Sequence, residues 1–232
     1  MHVKTIAIVQ SNYVPWKGYF DLIRSVDEFV LYDDMQFTRR DWRNRNRIKT
    51  PAGLQWLTIP VQVKGRYHQT IRETRISDPD WPAGHWRSLA LAYGRAPFFA
   101  ETAAWLEPLY RGAVQQGLSA INHHFLAAIC ARLGIATPLV DCAAYRLEGE
   151  RSARLASICA QAGASAYVSG PAARDYLDED EFAARGIAVR WFDYAGYPEY
   201  PQLWGGFEHG VSILDLLFNT GPAAPDYLGA RR

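Results

Sequence analysis

The chain has 232 residues, of which 49% are hydrophobic and 21% charged, a composition that suits one globular domain with a packed core. Its net charge of +1 gives no overall field that would favour nucleic acid or an anionic membrane. The three cysteines, Cys130, Cys142 and Cys159, form no C-x-x-C pair, which argues against a disulfide framework or a structural zinc site. No signal-like segment opens the chain and no apolar stretch approaches the ~18 residues of a membrane span, so we expect a cytoplasmic protein.

The start of the chain is patterned as a βαβ unit. Residues 5–10 have the apolar character of a buried strand, residues 18–26 are helical, and residues 28–33 form the next strand. This order implies a parallel sheet.

The middle of the chain is predicted to be mixed and then helical. The polar, basic residues 37–50 are expected to form a loop, and residues 55–63 a strand in which Pro60 marks an edge or a bulge. A short strand is predicted at residues 70–76. Three helices follow, at residues 85–93, 99–114 and 119–133.

The last part of the chain returns to alternating strands and helices. Ser212 is the expected N-cap of the final helix, which stops before Gly221-Pro222, and residues 223–232 are predicted to be a loose tail. The elements are residues 139–143 (strand), 151–163 (helix), 166–170 (strand), 176–185 (helix), 187–192 (strand) and 212–219 (helix). We therefore predict a single domain, residues 1–232, with a mostly parallel Rossmann-like sheet flanked by helices and a helical segment inserted around residues 82–133.

Polar and aromatic side chains follow the first predicted strand. They are Gln10, Asn12, Tyr13 and Trp16. Ligands of open α/β sheets bind at the carboxyl ends of the strands, so these residues are candidates for substrate contact. The alternative is a tight turn whose aromatic rings only pack.

The second predicted strand ends in Asp33 and Asp34, with Gln36 close behind. Adjacent aspartates can bind Mg²⁺, the hydroxyls of a sugar or an ammonium group. Asp33 and Gln36 are the favoured site residues, whereas Asp34 is equally compatible with a solvated turn.

Residues 39–49 form a dense basic segment with Trp42 inside it. Arginine forks suit phosphate or carboxylate, and an interleaved aromatic suits nucleic acid, although this segment is short and isolated. Arg45 and Lys49 are predicted to hold an anion, with Asn44 and Asn46 as amide contacts. The alternative is a solvated basic face.

Two later segments are further candidates. Ser169 and Gly170 end a predicted strand and can turn backbone N–H groups toward an anion, or can form a plain turn. Residues 194–207 are rich in aromatic residues, Pro and Gly, and include Gln202; they form either a closing loop over a pocket or a packed loop.

Acid–base, nucleophile and cofactor signals are sparse. His85 is an acid–base candidate on a helix, with a satisfied core histidine as the alternative, and the histidine spacing supports no metal triad. Cys142 follows a strand and is kept as a candidate nucleophile, whereas Cys159 is expected to be an inert buried thiol. There is no G-x-G-x-x-G or G-x-x-x-x-G-K-[ST] pattern, so no cofactor and no metal are predicted.

These residues also carry a resemblance to a known family. The run Gln10-x-Asn12-Tyr13-x-Pro15-Trp16-x-Gly18-Tyr19-Phe20 resembles the opening signature of the WbqC-like protein family. The resemblance continues through Tyr32-Asp33-Asp34-x-Gln36-Phe37, Trp42-x-Asn44-Arg45-Asn46-x-Ile48-Lys49, Trp56-Leu57-Thr58-Ile59-Pro60-Val61, Tyr167-Val168-Ser169-Gly170 with Tyr176-Leu177, Tyr200-Pro201-Gln202 and Ser212-Ile213-Leu214-Asp215-Leu216-Leu217-Phe218-Asn219-x-Gly221. The chain departs from the pattern at Ser11, where Pro is usual, and at Trp204-Gly205-Gly206.

The family is associated with gene clusters for bacterial surface polysaccharide (O-antigen) and specialised metabolites, and its members are generally described as transferases. The resemblance implies acyl or aminoacyl transfer from an activated thioester donor to an amine such as an amino sugar. An acyl or peptidyl carrier protein fits as a partner in that setting; neither nucleic acid nor membrane insertion is expected. Tyr13, Asp33 and His85 are the predicted catalytic residues, and Asp33 would take a proton from the acceptor or position it.

Two other functions stay open. Nucleotidyl transfer is one, because the loop after the first strand occupies the place of the H-x-G-H turn of nucleotidylyltransferases, but aromatic residues stand at both histidine positions. The other is a non-catalytic module that binds a glycan precursor or a carrier protein. The sequence leaves the donor, the acceptor, the oligomeric state and the requirement for a metal undetermined.

Overall fold

The computed structural model describes residues 3–229, which fold into two sheets and a set of surrounding helices. The strands are β1 (Thr5–Val9), β2 (Glu28–Leu31), β3 (Arg45–Thr50), β4 (Gly53–Thr58), β5 (Leu139–Asp141), β6 (Ala166–Ser169) and β7 (Ala188–Trp191). The α-helices are α1 (Lys17–Arg24), α2 (Trp81–Tyr93), α3 (Phe99–Arg111), α4 (Leu118–Arg132), α5 (Arg151–Gln161), α6 (Asp180–Ala183) and α7 (Ile213–Thr220). Short 3₁₀ helices lie at Cys142–Ala144, Pro171–Ala173 and Gly221–Tyr227.

Within these residues the main sheet has five strands in the order β5-β2-β1-β6-β7, and every pair in it is parallel. The chain moves outward from β1 to β2 and β5 on one side, then returns to place β6 on the other side of β1. The predicted βαβ unit and Rossmann-like parallel sheet are confirmed. Because the direction of winding reverses between β1 and β6, their carboxyl ends leave a crevice that neighbouring connections do not fill.

The sheet separates two apolar clusters because alternate residues of its central strands face opposite sides. Ala7 and Phe29 belong to the larger cluster, and Ile6, Ile8 and Val30 to the smaller one. The larger cluster contains residues of α1, α2, α3, α4 and α7, whereas the smaller one contains residues of α5 and α6. Burial of both faces explains why β1 and β2 contain uninterrupted apolar runs, at residues 6–9 and 29–31.

The predicted helical insertion is confirmed as α2, α3 and α4. Helix α7 begins after Ser212, whose hydroxyl accepts a hydrogen bond from Leu214 N at 3.3 Å, so the predicted N-cap is confirmed. All eight residues of α7 are buried.

Three predictions about local structure are wrong. Part of the expected loop at 37–50 is β3, which pairs antiparallel with β4. Its period of two was hidden because Asn46 points inward while Arg45 and Arg47 are more exposed. The expected strand at 70–76 is a turn region with isolated bridges only, and the helix expected at 176–185 is reduced to α6.

The C-terminal segment expected to be loose is packed where the structure describes it. Residues Gly221–Tyr227 form a 3₁₀ helix, and Ala224 and Leu228 are buried. Residues 230–232 lie outside the described part of the chain. Among residues 3–229, no helix has the length and apolar character needed to cross a membrane.

Candidate functional site

One cavity lies where the winding of the sheet reverses, and we call it the sheet-edge cleft. It encloses about 700 Å³ beside the carboxyl ends of β1 and β6. Its lining includes three predicted site residues, Gln10, Ser169 and Gly170. The remaining walls come from Ile8, Val9, Tyr32, Met35, Glu150, Arg151, Ser152, Arg154, Leu155, Tyr167, Ala172, Ala173, Tyr176 and Leu177. Its volume and position are those of a small-molecule site in an α/β protein.

A second cavity, the tryptophan pocket, encloses about 310 Å³. It is lined by Asn12, Pro15, Trp16, Trp42, Asn46, Arg47, His209 and Gly210. Three of these, Asn12, Trp16 and Asn46, are predicted site residues. The indole rings give apolar walls, and the amides and the His209 ring give a few polar groups, a combination typical of ligand pockets.

Arg43 joins the two cavities and was not among the predicted site residues. Its guanidinium donates to Gln10 Oε1, at 3.1 Å, and to Asn12 Oδ1. Gln10 lines the sheet-edge cleft and Asn12 lines the tryptophan pocket. One arginine fork thus fixes the side-chain oxygens of a residue from each cavity. Arg43 lies within the basic segment that the sequence marked as a candidate, but nothing in the sequence distinguished it from the neighbouring arginines.

An aromatic ring also bridges the cavities. Tyr194 packs on Trp16 with ring centroids 5.3 Å apart, and a Cβ on Gly170 would lie 3.5 Å from the Tyr194 ring. The sheet-edge cleft and the tryptophan pocket are therefore neighbours, separated by the Gln10–Arg43–Asn12 bridge and Tyr194.

The loop at residues 194–207, predicted as either a closing or a packed loop, is tied to α1. Lys17 Nζ donates to Pro198 O at 2.6 Å and lies over the rings of Tyr197, Tyr200 and Phe207 at 5.2–5.7 Å. Burial lowers the pKa of Lys17 to about 8, although the charge of Glu199 opposes the shift.

Two predicted catalytic residues meet inside the core. The Tyr13 hydroxyl is 2.9 Å from His85 Nδ1 and 2.7 Å from the Tyr110 hydroxyl, while His85 Nε2 is 3.1 Å from Thr58 O. The Thr58 carbonyl can only accept, so Nε2 carries the proton, Nδ1 accepts from Tyr13, and Tyr13 accepts from Tyr110. Burial raises the pKa of Tyr13 and lowers that of His85 to about 4.

Asp33, the third predicted catalytic residue, is also enclosed. It is 1% exposed, and its two carboxylate oxygens accept from Ser11 N at 2.8 Å and from Ser119 Oγ at 2.5 Å. These bonds anchor the segment after β1 to α4. Asp33, Tyr13 and His85 line neither of the two cavities.

Lys49 and Gln202 are brought together, but in a buried network. Lys49 Nζ donates to Gln202 Oε1 at 2.7 Å and to Gly206 O at 2.6 Å, and Gln202 Nε2 donates to Asp215 Oδ1 at 2.7 Å. Asp215 also accepts from the hydroxyls of Tyr93 and Tyr200 at 2.8 and 2.7 Å. Burial raises the pKa of Asp215, while these donors and Lys49 oppose the shift.

The two asparagines of the basic segment hold the backbone. Asn44 Nδ2 donates to Ile59 O at 2.8 Å. Asn46 Nδ2 donates to Tyr13 O and Val14 O, both at 3.1 Å. Val14 has φ +35°, which strains a β-branched residue, and Asn46 helps to hold this conformation at the edge of the tryptophan pocket.

The structure places the last two predicted binding residues outside both cavities. Gln36 is exposed, and its amide donates to Tyr67 O at 3.0 Å. The Arg45 guanidinium lies 3.9 Å from the ring centre of Trp56 on the β3–β4 hairpin. Asp34, kept as a lesser candidate, is paired with Arg72, which also holds Asp141.

Comparison with known proteins identifies the family. A family model described as "WbqC-like protein family" matches residues 10–227, nearly the whole chain. This chain belongs to the WbqC-like protein family. It is 60% identical over 226 residues to "Uncharacterized protein Rv1507c" of Mycobacterium tuberculosis (strain ATCC 25618 / H37Rv), an alignment that covers 97% of this chain and 98% of that protein. No solved structure matches it.

The cysteines of this WbqC-like protein are all free and buried. Cys142, the candidate nucleophile, lies 3.4 Å from Arg72 Nη2 and lines neither cavity. Burial raises the pKa of its thiol and that of Cys159, the latter to about 12. Among residues 3–229 there is no group of three or more His, Cys, Asp or Glu side chains placed to hold a metal ion.

A larger cavity, of about 950 Å³, is an open groove bordered by α2 and α3. It contains none of the predicted site residues and lies away from the reversal between β1 and β6. We place the candidate site at the two smaller cavities because they share the strand ends, the polar side chains and the Arg43 bridge.

Proposed function

We propose that this WbqC-like protein is a transferase that holds two small substrates side by side, one in the sheet-edge cleft and one in the tryptophan pocket. The observation that carries the proposal is the Arg43 fork, which joins a lining residue of each cavity. A transferase needs its donor and acceptor in contact and shielded from water, because hydrolysis competes with transfer. The two cavities are adjacent and divided only by side chains, so rotation of the Gln10, Arg43 and Asn12 side chains would bring the two substrates into contact.

The reaction that fits best is acyl or aminoacyl transfer from a thioester to an amine, in biosynthesis of surface polysaccharide or a specialised metabolite. The amine nitrogen attacks the thioester carbonyl, a C–N bond forms, the C–S bond breaks, and the amine proton leaves with the thiol. An amine on a sugar-sized acceptor suits the tryptophan pocket, whose indoles can face a ring and whose Asn12 amide can bind a hydroxyl.

The enclosed positions of Tyr13, Asp33 and His85 change the roles expected for them. They support the loop that carries Gln10 and Asn12, and they act through it rather than on substrate. The His209 imidazole lines the tryptophan pocket and is the base nearest to an acceptor there. A general base contributes about 10²–10⁴-fold to rate, so His209→Gln should lower kcat by that factor.

The experiment that tests the proposal is product detection by mass spectrometry. Acetyl-, glycyl- and β-alanyl-pantetheine are incubated with glucosamine and the protein, and an amide product is sought. His209→Gln and Asn12→Ala should each reduce product formation, whereas Gln36→Ala, at an exposed position outside both cavities, should leave it unchanged. No product above background, or equal rates in all four proteins, would contradict the proposal.

A non-catalytic binding module is the second candidate. It is favoured by one observation: all three residues predicted to be catalytic are buried away from the cavities. If the amino sugar binds in a manner that depends on Asn12 while no product forms with any donor, the binding module replaces the transferase.

A further inference from the structure

The sheet-edge cleft is lined by charged side chains that the stability of the fold does not explain. Two arginines, Arg151 and Arg154, lie in the first turn of α5, preceded by Glu150. The amino end of a helix is its positive end and favours acidic side chains, yet this first turn has none. All three residues line the cleft, so its charged wall combines two guanidinium groups with one carboxylate.

The two guanidinium groups are presented differently. Arg154 is fixed, since its Nε donates to Gly149 O at 2.8 Å and its guanidinium lies at the Tyr32 hydroxyl. Arg151 is exposed, and its side chain has no hydrogen-bond or ion-pair partner within the described residues. One fork is held at the wall and the other is free to close on a ligand. Guanidinium pairs of this kind suit the oxygens of a phosphate.

The basic segment that the sequence pointed to does not offer the same chemistry. Lys49 is engaged with Gln202 and Gly206, Arg45 lies against Trp56, and Arg43 is occupied by Gln10 and Asn12. Arg47 lines the tryptophan pocket and donates to Gly210 O. Among the residues that line the sheet-edge cleft, the cationic side chains are those of Arg151 and Arg154.

An aromatic surface stands next to these charges. Tyr176 lines the cleft and is 72% exposed, so its ring is available to a ligand rather than used in the core. Tyr32 and Tyr167, which are buried, form the inner aromatic wall. A planar ring attached to a phosphate would meet an aromatic face and a guanidinium pair in one cavity of about 700 Å³.

We propose that the sheet-edge cleft binds the nucleoside diphosphate part of a substrate, with its phosphates at Arg151 and Arg154 and its base beside Tyr176. This assignment rests on the proposed function, because it names the class of substrate held next to the tryptophan pocket. Two kinds of substrate contain a nucleoside diphosphate. A coenzyme A thioester would bring the diphosphate on the donor, and a nucleotide-linked amino sugar would bring it on the acceptor.

Isothermal titration calorimetry with ADP, UDP, coenzyme A, adenosine and uridine tests the assignment. At least one diphosphate should bind, and its nucleoside should bind at least tenfold more weakly, since hydrogen bonds to charged groups are worth about tenfold or more in affinity. Arg151→Gln and Arg154→Gln should each weaken diphosphate binding by a similar factor. Arg87→Gln, at an exposed site in the α2–α3 groove, is the matched control and should bind like the wild type.

The pattern of ligands identifies the source. Preference for ADP and coenzyme A assigns the diphosphate to the donor, and preference for UDP assigns it to a nucleotide sugar. Failure of every diphosphate to bind, or equal affinity in wild type, Arg151→Gln and Arg154→Gln, overturns the assignment. The result is separable from the proposed function: transfer from a pantetheine thioester without nucleotide binding refutes only the assignment, and nucleotide binding without any transfer refutes only the transferase.

Discussion

Individual residues of the candidate site are held by partners that lie far away in the sequence. Tyr13 and His85 are separated by 72 positions, yet they share one hydrogen bond in the core. No sequence periodicity links them, so the sequence could identify each residue as a catalytic candidate but could not show that their side chains are in contact. The same holds for Lys49 and Gln202, which are 153 positions apart. Their burial, which decides whether they can touch substrate, depends on the packing of the whole chain.

His85 makes the free energy of unfolding of the protein depend on pH. Its pKa falls from 6.5 to about 4 on folding because burial disfavours the imidazolium. Between these values the unfolded chain binds a proton that the folded protein does not. The free energy of unfolding should therefore fall by about 1.4 kcal/mol for each pH unit from 6.5 down to 4, in addition to the effects of other groups.

The matched variant is His85→Gln, which does not titrate but can still accept from Tyr13 and donate to the Thr58 carbonyl. Urea denaturation at several pH values should show a shallower loss of stability in the variant across this window. Identical pH profiles for the two proteins would show that His85 is not the group responsible.

Secondary-structure elements differ in how clearly the sequence specifies them. β1 and β2 were predicted because residues 6–9 and 29–31 are uninterrupted apolar runs, as burial of both faces requires, and α7 was predicted because Ser212 and Gly221-Pro222 mark its ends. β3 was missed because its inward side chains include the amide of Asn46, which holds the backbone carbonyls of Tyr13 and Val14. A strand whose inward face serves a polar loop lacks the hydrophobic alternation that identifies strands.

The end of α7 requires glycine for two reasons that can be separated. Gly221 has φ +53°, and a Cβ there would lie 2.3 Å from the Phe98 ring. Gly134, just after α4, has φ +67° but open space around it. Gly134→Ala should therefore cost about 1 kcal/mol from backbone strain alone, whereas Gly221→Ala should cost about 2–4 kcal/mol because the ring must also move and because its ψ of −125° lies outside the left-handed helical region.

Urea denaturation of the two variants beside the wild type measures the difference. Equal losses of stability would show that Phe98 does not constrain this helix end, and that only the backbone conformation does.

At the scale of the whole molecule, one rule connects the sequence with the candidate site. Residues that follow strand ends gather at one edge of a parallel sheet, and Gln10, Asn12, Ser169 and Gly170 do lie at the two neighbouring cavities. The rule does not say which side chains face a cavity. Asp33 was therefore predicted as a site residue, although both of its carboxylate oxygens accept hydrogen bonds within the protein, from Ser11 and Ser119. The strand-end rule also missed Arg151 and Arg154, because they belong to helix α5 and do not follow a strand. No local sequence pattern shows that α5 lies beside the end of β1.

The joining of the two cavities predicts that their ligands influence each other. Arg43 binds the amide oxygens of Gln10 and Asn12 together, so a ligand that reorients one amide changes the preferred position of the other. Saturating the sheet-edge cleft with UDP or ADP should change the affinity of the tryptophan pocket for glucosamine by about fivefold or more, a typical size for coupling between sites. Thermodynamic linkage requires the same factor when glucosamine is added first, which gives an internal check.

Arg43→Met should bring this factor close to one, because methionine fills the space of the side-chain stem but cannot bridge the two amides. Arg45→Met removes a neighbouring arginine that lies against Trp56 outside both cavities, and it should leave the factor unchanged. Calorimetric titrations of each ligand, with and without the other, measure the factor in all three proteins. Coupling that survives in Arg43→Met would exclude the arginine fork as the connection between the cavities. Coupling absent from the wild type would mean that the two ligands bind independently, which would contradict a shared reaction site.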